Sequence, residues 1–531
     1  MAEKNDFLVE AGLNGSSDVK HEDSHSLSST DVDSTSMDMI ADDKVLYEQM
    51  RIINNTIDEI GLTAYHWKLF CLNGMGYATD STLTFIQSLT LAPTQKEFDF
   101  EFPGPTMALY GGMLLGAIIW GFSADIIGRK FAFNSSLILS AVFAMIAAGM
   151  PNLAGYCVLV AMSAAAAGGN LVLDTTVFLE FLPSSQQWLL TLLAAWWGVG
   201  QLIAVLVIWP FMANYQCESK DYCPKHINMG WRYSWITLGG MVLILGILRI
   251  TVIRLIETPK FNLCEGNVEQ VVKDLHKIAN AGGKTISLTV EQLEACGKLD
   301  PAQLRKNQKW KWVKDLGTNV KLLFANRKLA QSTTILWISW TVLGIAYPLY
   351  SSFLPAYLSS RGAQTGGGTI DDTYRAMSIS NTFSIFGPVL AAILLFVPKI
   401  PLWGRFYIPA PGRRGAMCIG ALLTMTFFFA YTTVKTEVQN VAFSSVTSLT
   451  IYTYYGTLYA FTPEVMPSRA RATGNGIAIA FTRLAGIMSP LIAYYGDTSS
   501  SIPIYVCAAC YGALGLGCFL YPFEPMVNRA M

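Results

Sequence analysis

Three ionisable residues stand inside long apolar stretches and are the first candidates for chemistry. They are Asp80 in LNGMGYATDSTLTF, Asp174 in GGNLVLDTTVFL and Arg483 in IAFTRLAGIM. A charge at the centre of a bilayer costs about 2.5–3.5 kcal/mol on insertion scales, so such a residue is a functional candidate by default. Desolvation disfavours the charged form of a carboxylate, and Asp80 could therefore take up a proton; the plainer role is a static partner in a polar cluster. The planar guanidinium of Arg483 suits a two-oxygen anion, or else an ion pair with Asp80 or Asp174. Asp174 lies nearer one edge of its stretch and reads as structural. Gln201 and Trp197, and further on Trp340 and Tyr347, could line a cavity, although Trp and Tyr are also ordinary membrane anchors.

The elements that must position these residues follow from composition. The chain has 531 residues, 52% hydrophobic and only 14% charged, against roughly 25% charged for a soluble domain. Twelve apolar runs are expected to span a membrane, near 68–91, 106–124, 131–150, 154–180, 187–212, 232–256, 330–357, 375–397, 415–434, 439–462, 473–495 and 502–522. The expected fold is therefore an all-α membrane protein of twelve transmembrane helices. Its parts are an N-terminal bundle over 61–256, a polar central segment over 257–329 with amphipathic pieces, a C-terminal bundle over 330–525 and a short tail over 526–531. At about 1.5 Å per residue, Asp80 and Arg483 fall near mid-membrane.

Charge divides unevenly. Residues 1–60 hold 14 acidic and 4 basic residues and read as a disordered acidic tail, which leaves 33 basic and 23 acidic residues in the rest. The zero net charge thus hides a basic membrane body, without the basic stripe a nucleic-acid binder needs. Basic residues gather at Arg129 and Lys130, along 257–329, at Arg413 and Arg414, and at Arg469 and Arg471. By the positive-inside rule these connections, and both termini, are cytoplasmic. Cys217 and Cys223 then face outside in NYQCESKDYCPKH, where a disulfide is expected. Two free thiols are the alternative, and a zinc site with His226 lacks a fourth ligand. No HExxH, GxSxG, Walker A or GxGxxG motif stands at a strand-to-helix junction, so neither an enzyme nor a cofactor is expected.

The connection between the second and third runs reads GFSADIIGRK, from Gly121 to Lys130. It resembles the signature loop of the major facilitator superfamily, in the right place within a six-plus-six chain. GGNLVLDTTVFLEFLP, YAFTPEVMPSRARATGNG, MGWRYSW and LIETPKF are similar to fungal members of the sugar-porter group. They are closest to the branch around synaptic-vesicle-two-related proteins and bacterial niacin carriers. The resemblance implies two six-helix bundles working by alternating access. It also implies a cytoplasmic gate of ion pairs among Gly121, Asp125, Gly128, Arg129, Lys130, Glu180, Glu464, Arg469 and Arg471. Positive-inside anchoring explains Arg129 and Lys130 but not Asp125.

Three departures from that pattern bear on substrate, one being the exit from the sixth run, ETPKF in place of the fuller PESPR-like form. The seventh run lacks the paired glutamines of hexose carriers, and VLVAMSAAAAGG replaces the Arg common early in the fourth. The expected function is secondary active, proton-coupled uptake of a small polar organic solute, such as a nicotinate-like carboxylate, across the plasma membrane rather than the vacuolar one. A sugar or polyol carrier, an efflux carrier and a non-transporting solute sensor are the alternatives. The expected partners are the solute, protons and lipid; no oligomer is required.

Overall fold

A computed structural model of the chain describes residues 29–127, 129–217, 223–253, 256–297, 317–365, 369–397, 400–401, 407–408, 411–467, 470–496 and 500–524. Twelve helical passages follow the twelve apolar runs. Spans 1 to 6 are Ala64–Phe98, Gly104–Ile127, Arg129–Ala147, Leu153–Ala167 continued by Asn170–Phe181, Trp188–Leu193 continued by Ala195–Asn214, and Gly230–Leu248. Spans 7 to 12 are Arg327–Ser351 continued by Leu354–Thr365, Ile370–Leu395, Gly412–Tyr431, Glu437–Val465, Arg471–Gly496 and Ile502–Gly517. A two-residue antiparallel ladder, Ile400–Pro401 with Tyr407–Ile408, sits between spans 8 and 9.

The helices begin where short polar side chains can replace a missing backbone partner. Asn152, Asn326, Thr369 and Thr436 each accept a bond from a backbone N–H in the first turn, worth about 1 kcal/mol apiece. Among the described residues, eight helices are long and apolar enough to cross a membrane. Span 1 and span 10 are more polar, and they turn that polarity inward. Asn73, Thr79, Asp80, Ser81, Gln87 and Thr90 of span 1 are buried, while Leu115, Ile118, Ile119 and Ile244 on other spans are exposed. A protein with water outside would reverse that arrangement; a bilayer outside explains it.

The two bundles meet along two seams, span 5 against span 8 and span 2 against span 11. Within the first bundle, spans 2 and 4 approach closely at Gly112 and Gly116. A β-carbon there would overlap the backbone carbonyls of Ala161 and Ala165, which is how small residues let membrane helices pack.

The N-terminal segment corrects the sequence reading. Of the segment 1–60 expected to be a disordered tail, residues 1–28 lie outside the described residues, and Ser29–Ile60 is a helix. Gln49, Ile53, Thr56, Ile57 and Ile60 recur at helical spacing and are buried. The Gln49 amide donates to the carbonyls of Leu293 (3.0 Å) and Gly297 (3.1 Å) in the central segment. Acidic composition suggested disorder, but this apolar stripe gives the second half of the helix a face to bury. The central segment itself contains Val268–Ala281, whose Val271, Val272, Leu275 and Ile278 are buried.

Candidate functional site

Trp197 and Gln201 lie four residues apart on span 5 and so share a face. On span 10, Tyr452, Tyr455 and Tyr459 recur at helical spacing, and on span 7 Trp340 and Tyr347 stand two turns apart. The fold brings these three faces together at the seam. Trp197 Nε1 and Gln201 Nε2 both donate to the Tyr347 hydroxyl, at 2.7 and 2.9 Å. The Tyr452 hydroxyl donates to Gln201 Oε1 at 2.7 Å, and the Tyr347 and Tyr452 hydroxyls are 2.9 Å apart. One arrangement of protons satisfies all four bonds, with Tyr347 donating to Tyr452. This closed ring joins the two bundles. Tyr455 packs against Tyr347, Trp197, Trp340 and Tyr459, and Trp340 Nε1 donates to Thr462 at 2.9 Å.

Arg483 enters this aromatic region from span 11. Its side chain is buried, and Nη1 lies 3.1 Å from Met113 Sδ of span 2, a weak acceptor. Nε and Nη2 are buried and have no acceptor among the described residues. Tyr110, Tyr455 and Tyr459 are within electrostatic reach of the guanidinium. Neither Asp80 nor Asp174 forms an ion pair with it among the described residues. A buried charge without a partner is expensive by several kcal/mol, and the exposed-edge N–H groups of a guanidinium match a carboxylate.

Asp174 is paired elsewhere. Arg249, at the end of span 6, places Nη2 3.1 Å from Asp174 Oδ1, and both side chains are fully enclosed. Arg249 opens a short π-helical stretch, Arg249–Ile253, and its guanidinium lies over the Phe133 ring. Asp80 is fully buried on span 1, one turn beyond Gly76. Gly76 is required there, because a β-carbon would overlap Asp174 Oδ2. The Arg249 guanidinium feels the charges of both Asp174 and Asp80.

The ends of the spans carry the rest. Cys217 and Cys223 form a disulfide with Cα atoms 5.5 Å apart, and Lys96 donates to the Cys217 carbonyl at 2.7 Å. Nearby, Glu97 receives a two-pronged bond from Arg232 (2.7 Å each) and a further bond from Trp231 (2.8 Å). On this side the bundles touch where Ser88 donates to the Ser351 and Ser352 carbonyls, at 3.2 and 2.6 Å. On the opposite side Arg413 of span 9 reaches Thr191 of span 5 at 2.7 Å and also pairs with Glu464. Arg471 lies within electrostatic range of Glu464, and the Glu524 carboxylate accepts the Arg413 and Arg414 backbone N–H groups at the start of span 9.

Among the expected gate residues, Glu180 is half-buried, and the Lys130 backbone N–H donates to Glu257 at 3.2 Å. Gly128 and Arg469 lie outside the described residues, and of Gly121, Asp125 and Arg129 only the helical backbone is described. Sequence reasoning missed Arg249, Arg413 and the span 10 tyrosines as site residues. Only the tyrosines left a signal, their common helical face. A surface cleft of about 560 Å³ between spans 8 and 10, lined by Ile379, Phe383 and Val441 among others, is separate from all of these groups.

Comparison with known proteins supplies the lineage. The family described as Major Facilitator Superfamily matches residues 69–490. The chain is 38% identical to MFS siderochrome iron transporter 1 of Ceriporiopsis subvermispora, over 91% of this chain and 92% of that protein. It is 38% identical to the major facilitator-type transporter hxnZ of Emericella nidulans, over 90% and 87%. More distantly, it is 23% identical to the niacin transporter NiaP of Acinetobacter baylyi, over 82% and 88%. In structure it is similar to the proton:xylose symporter XylE from E. coli, with TM-score 0.65 at 16% identity, covering 88% of this chain and 98% of that one. A twelve-helix body split into two facing bundles, matched along most of its length, belongs to the major facilitator superfamily of multi-pass membrane transporters.

Proposed function

We propose that this protein is a proton-coupled carrier of a small organic anion, held as a carboxylate by Arg483 and stacked among Tyr455, Tyr459 and Trp340. The observation that carries the reading is the buried Arg483 guanidinium, with Nε and Nη2 unpartnered among the described residues, beside three tyrosines at the seam of the two bundles. An aromatic carboxylate of nicotinate size satisfies both features, because its two oxygens meet the fork and its ring meets the aromatic faces. The niacin transporter named above lends support to that solute class. Asp80 supplies the proton site, with both termini and the Arg413 side cytoplasmic and uptake directed across the plasma membrane. A second reading comes from the relative named for siderochrome iron: the cargo is then iron in its siderochrome form.

Radiolabelled nicotinate uptake in cells expressing the protein tests the proposal, with and without a protonophore and beside a labelled iron–siderochrome arm. The expected result is concentrative nicotinate uptake that collapses with the proton gradient. Uptake of the iron complex alone replaces the first reading with the second. Nicotinate uptake indifferent to the gradient removes proton coupling.

A further inference from the structure

We propose that Asn73 of span 1 is a solute-binding residue on the Arg413 side of the aromatic site, where its amide takes the carboxylate as the anion leaves Arg483. The inference rests on the anion-carrier reading and adds a second polar contact further along the path.

Asn73 is completely buried, and neither Nδ2 nor Oδ1 has a hydrogen-bond partner among the described residues. Its neighbours show how readily a polar side chain is satisfied within a helix. Thr79, Ser81, Thr82 and Thr90 of span 1 each donate to a backbone carbonyl of their own helix, at 2.7–2.9 Å. Asn381 of span 8 does the same through Nδ2, 2.9 Å from the Met377 carbonyl. Asn73 makes no such bond, and an unpaired amide in an interior is destabilising. A buried polar group kept without a protein partner calls for a reason, and a passing ligand is one.

The surroundings of Asn73 indicate which ligand. Asn73 lies one turn from Tyr77 and shares its face of span 1. The Tyr77 hydroxyl reaches Thr175 of span 4 at 2.7 Å, and its ring meets the Tyr459 ring of span 10 with centroids 6.1 Å apart. Tyr459 in turn packs edge-on against Trp340 at 4.7 Å and beside Tyr455 at 4.9 Å. Those three rings are the faces on which the solute stacks. One turn the other way, Phe70 packs against Phe178 of span 4 and Trp196 of span 5. Asn73 is thus a polar position between the aromatic site and apolar rings nearer the start of span 1, about 13 Å along the helix from Ala64. Asp58, just before span 1, accepts the Ser184 N–H just before span 5, which sets this end of span 1 on the Thr191–Arg413 side.

An amide in that place suits an anion in transit. Its Nδ2 donates to a carboxylate oxygen, but without a charge of its own it holds that oxygen less tightly than the Arg483 fork does. A contact of that strength lets the anion move on, whereas a second guanidinium would retain it.

Asn73→Leu separates a binding role from a structural one, because a residue kept for function costs stability. With the unpaired amide gone, the apparent melting temperature holds or rises while nicotinate loses affinity. The expected loss is about 2- to 12-fold in the half-saturation of labelled nicotinate exchange in inside-out vesicles, which present the Arg413 side. Right-side-out vesicles show a smaller change. A second arm needs no solute: Asn73→Cys is treated with a membrane-impermeant thiosulfonate, and label is counted above that of the wild type. The added label should form several-fold faster from the Arg413 side.

Side-specific label, together with a side-specific loss of affinity at retained melting temperature, establishes the role. No added label from the Arg413 side overturns it. Added label with affinity unchanged, or reduced equally from both sides, overturns the contact and leaves Asn73 a wall residue. If Asn73→Leu yields no folded protein, Asn73→Ala carries the affinity comparison. Wild-type protein that exchanges no nicotinate rejects the anion reading alone, because the thiol arm still decides whether Asn73 lines the path.

Discussion

Arg483 concentrates the anion reading in one side chain, and the test can separate its charge from its shape. Arg483→Gln removes both; losing one partner of a buried charge pair costs about 2–5 kcal/mol, which is a loss of about 30-fold or more in apparent affinity for nicotinate. Arg483→Lys keeps the charge and loses the fork, so an intermediate loss is expected. Neutral solutes such as nicotinamide should respond to neither change. Competition of unlabelled solutes against labelled nicotinate measures all three, and equal losses for neutral and anionic competitors defeat the assignment. Asp80, Asp174 and Arg483 were legible from the sequence because an ionisable residue in an apolar run stands out against its neighbours. Arg249 was not, because a basic residue near the end of a span resembles ordinary positive-inside anchoring. Its partner comes from another helix 75 residues away in sequence, and spacing says nothing about that.

At the level of elements, the hydrogen-bonded ring of Trp197, Gln201, Tyr347 and Tyr452 holds span 5 to spans 7 and 10. Tyr452→Phe keeps the aromatic packing and deletes the hydroxyl, leaving Gln201 Oε1 buried without its donor. Such an orphan costs about 1–3 kcal/mol. The apparent melting temperature should fall, and Gln201→Leu in the same chain should recover part of the loss because the orphaned oxygen is gone. Strictly additive losses in a thermal-unfolding cycle would show that the two side chains do not act together. All twelve spans were legible, since hydrophobic run length is a strong signal. The interruptions of spans 4, 5 and 7 were not, because the apolar runs resume directly after Gly168–Gly169, Ala194 and Ser352–Phe353, with no proline or charge at the breaks. The helix Ser29–Ile60 was obscured differently: its acidic residues dominate the composition, while its buried stripe is sparse and matters only against a docking surface.

For the whole molecule, alternating access requires that contacts between the bundles break on one side while those on the other persist. The structure has a contact on each side of the central ring: Ser88 to the carbonyls of Ser351 and Ser352, and Arg413 to Thr191. They differ in strength. The first is a neutral hydroxyl bond worth about 0.5–1.5 kcal/mol, and the second has a charged donor and is worth about 1.5–3 kcal/mol. Removing one contact moves the balance between the two open states by what that contact is worth, or about 2- to 12-fold for Ser88→Ala and about 12- to 160-fold for Thr191→Val. Hydrogen–deuterium exchange on purified protein reads both sides at once. Thr191→Val should raise exchange at the start of spans 5 and 9 and protect the far ends of spans 1 and 7. Ser88→Ala should do the reverse, by a smaller amount. The reciprocity is the point, because a simple loss of packing raises exchange near the mutation and protects nothing. If neither variant protects the opposite side, these contacts are local struts, and control of the two states lies among other residues of the seam.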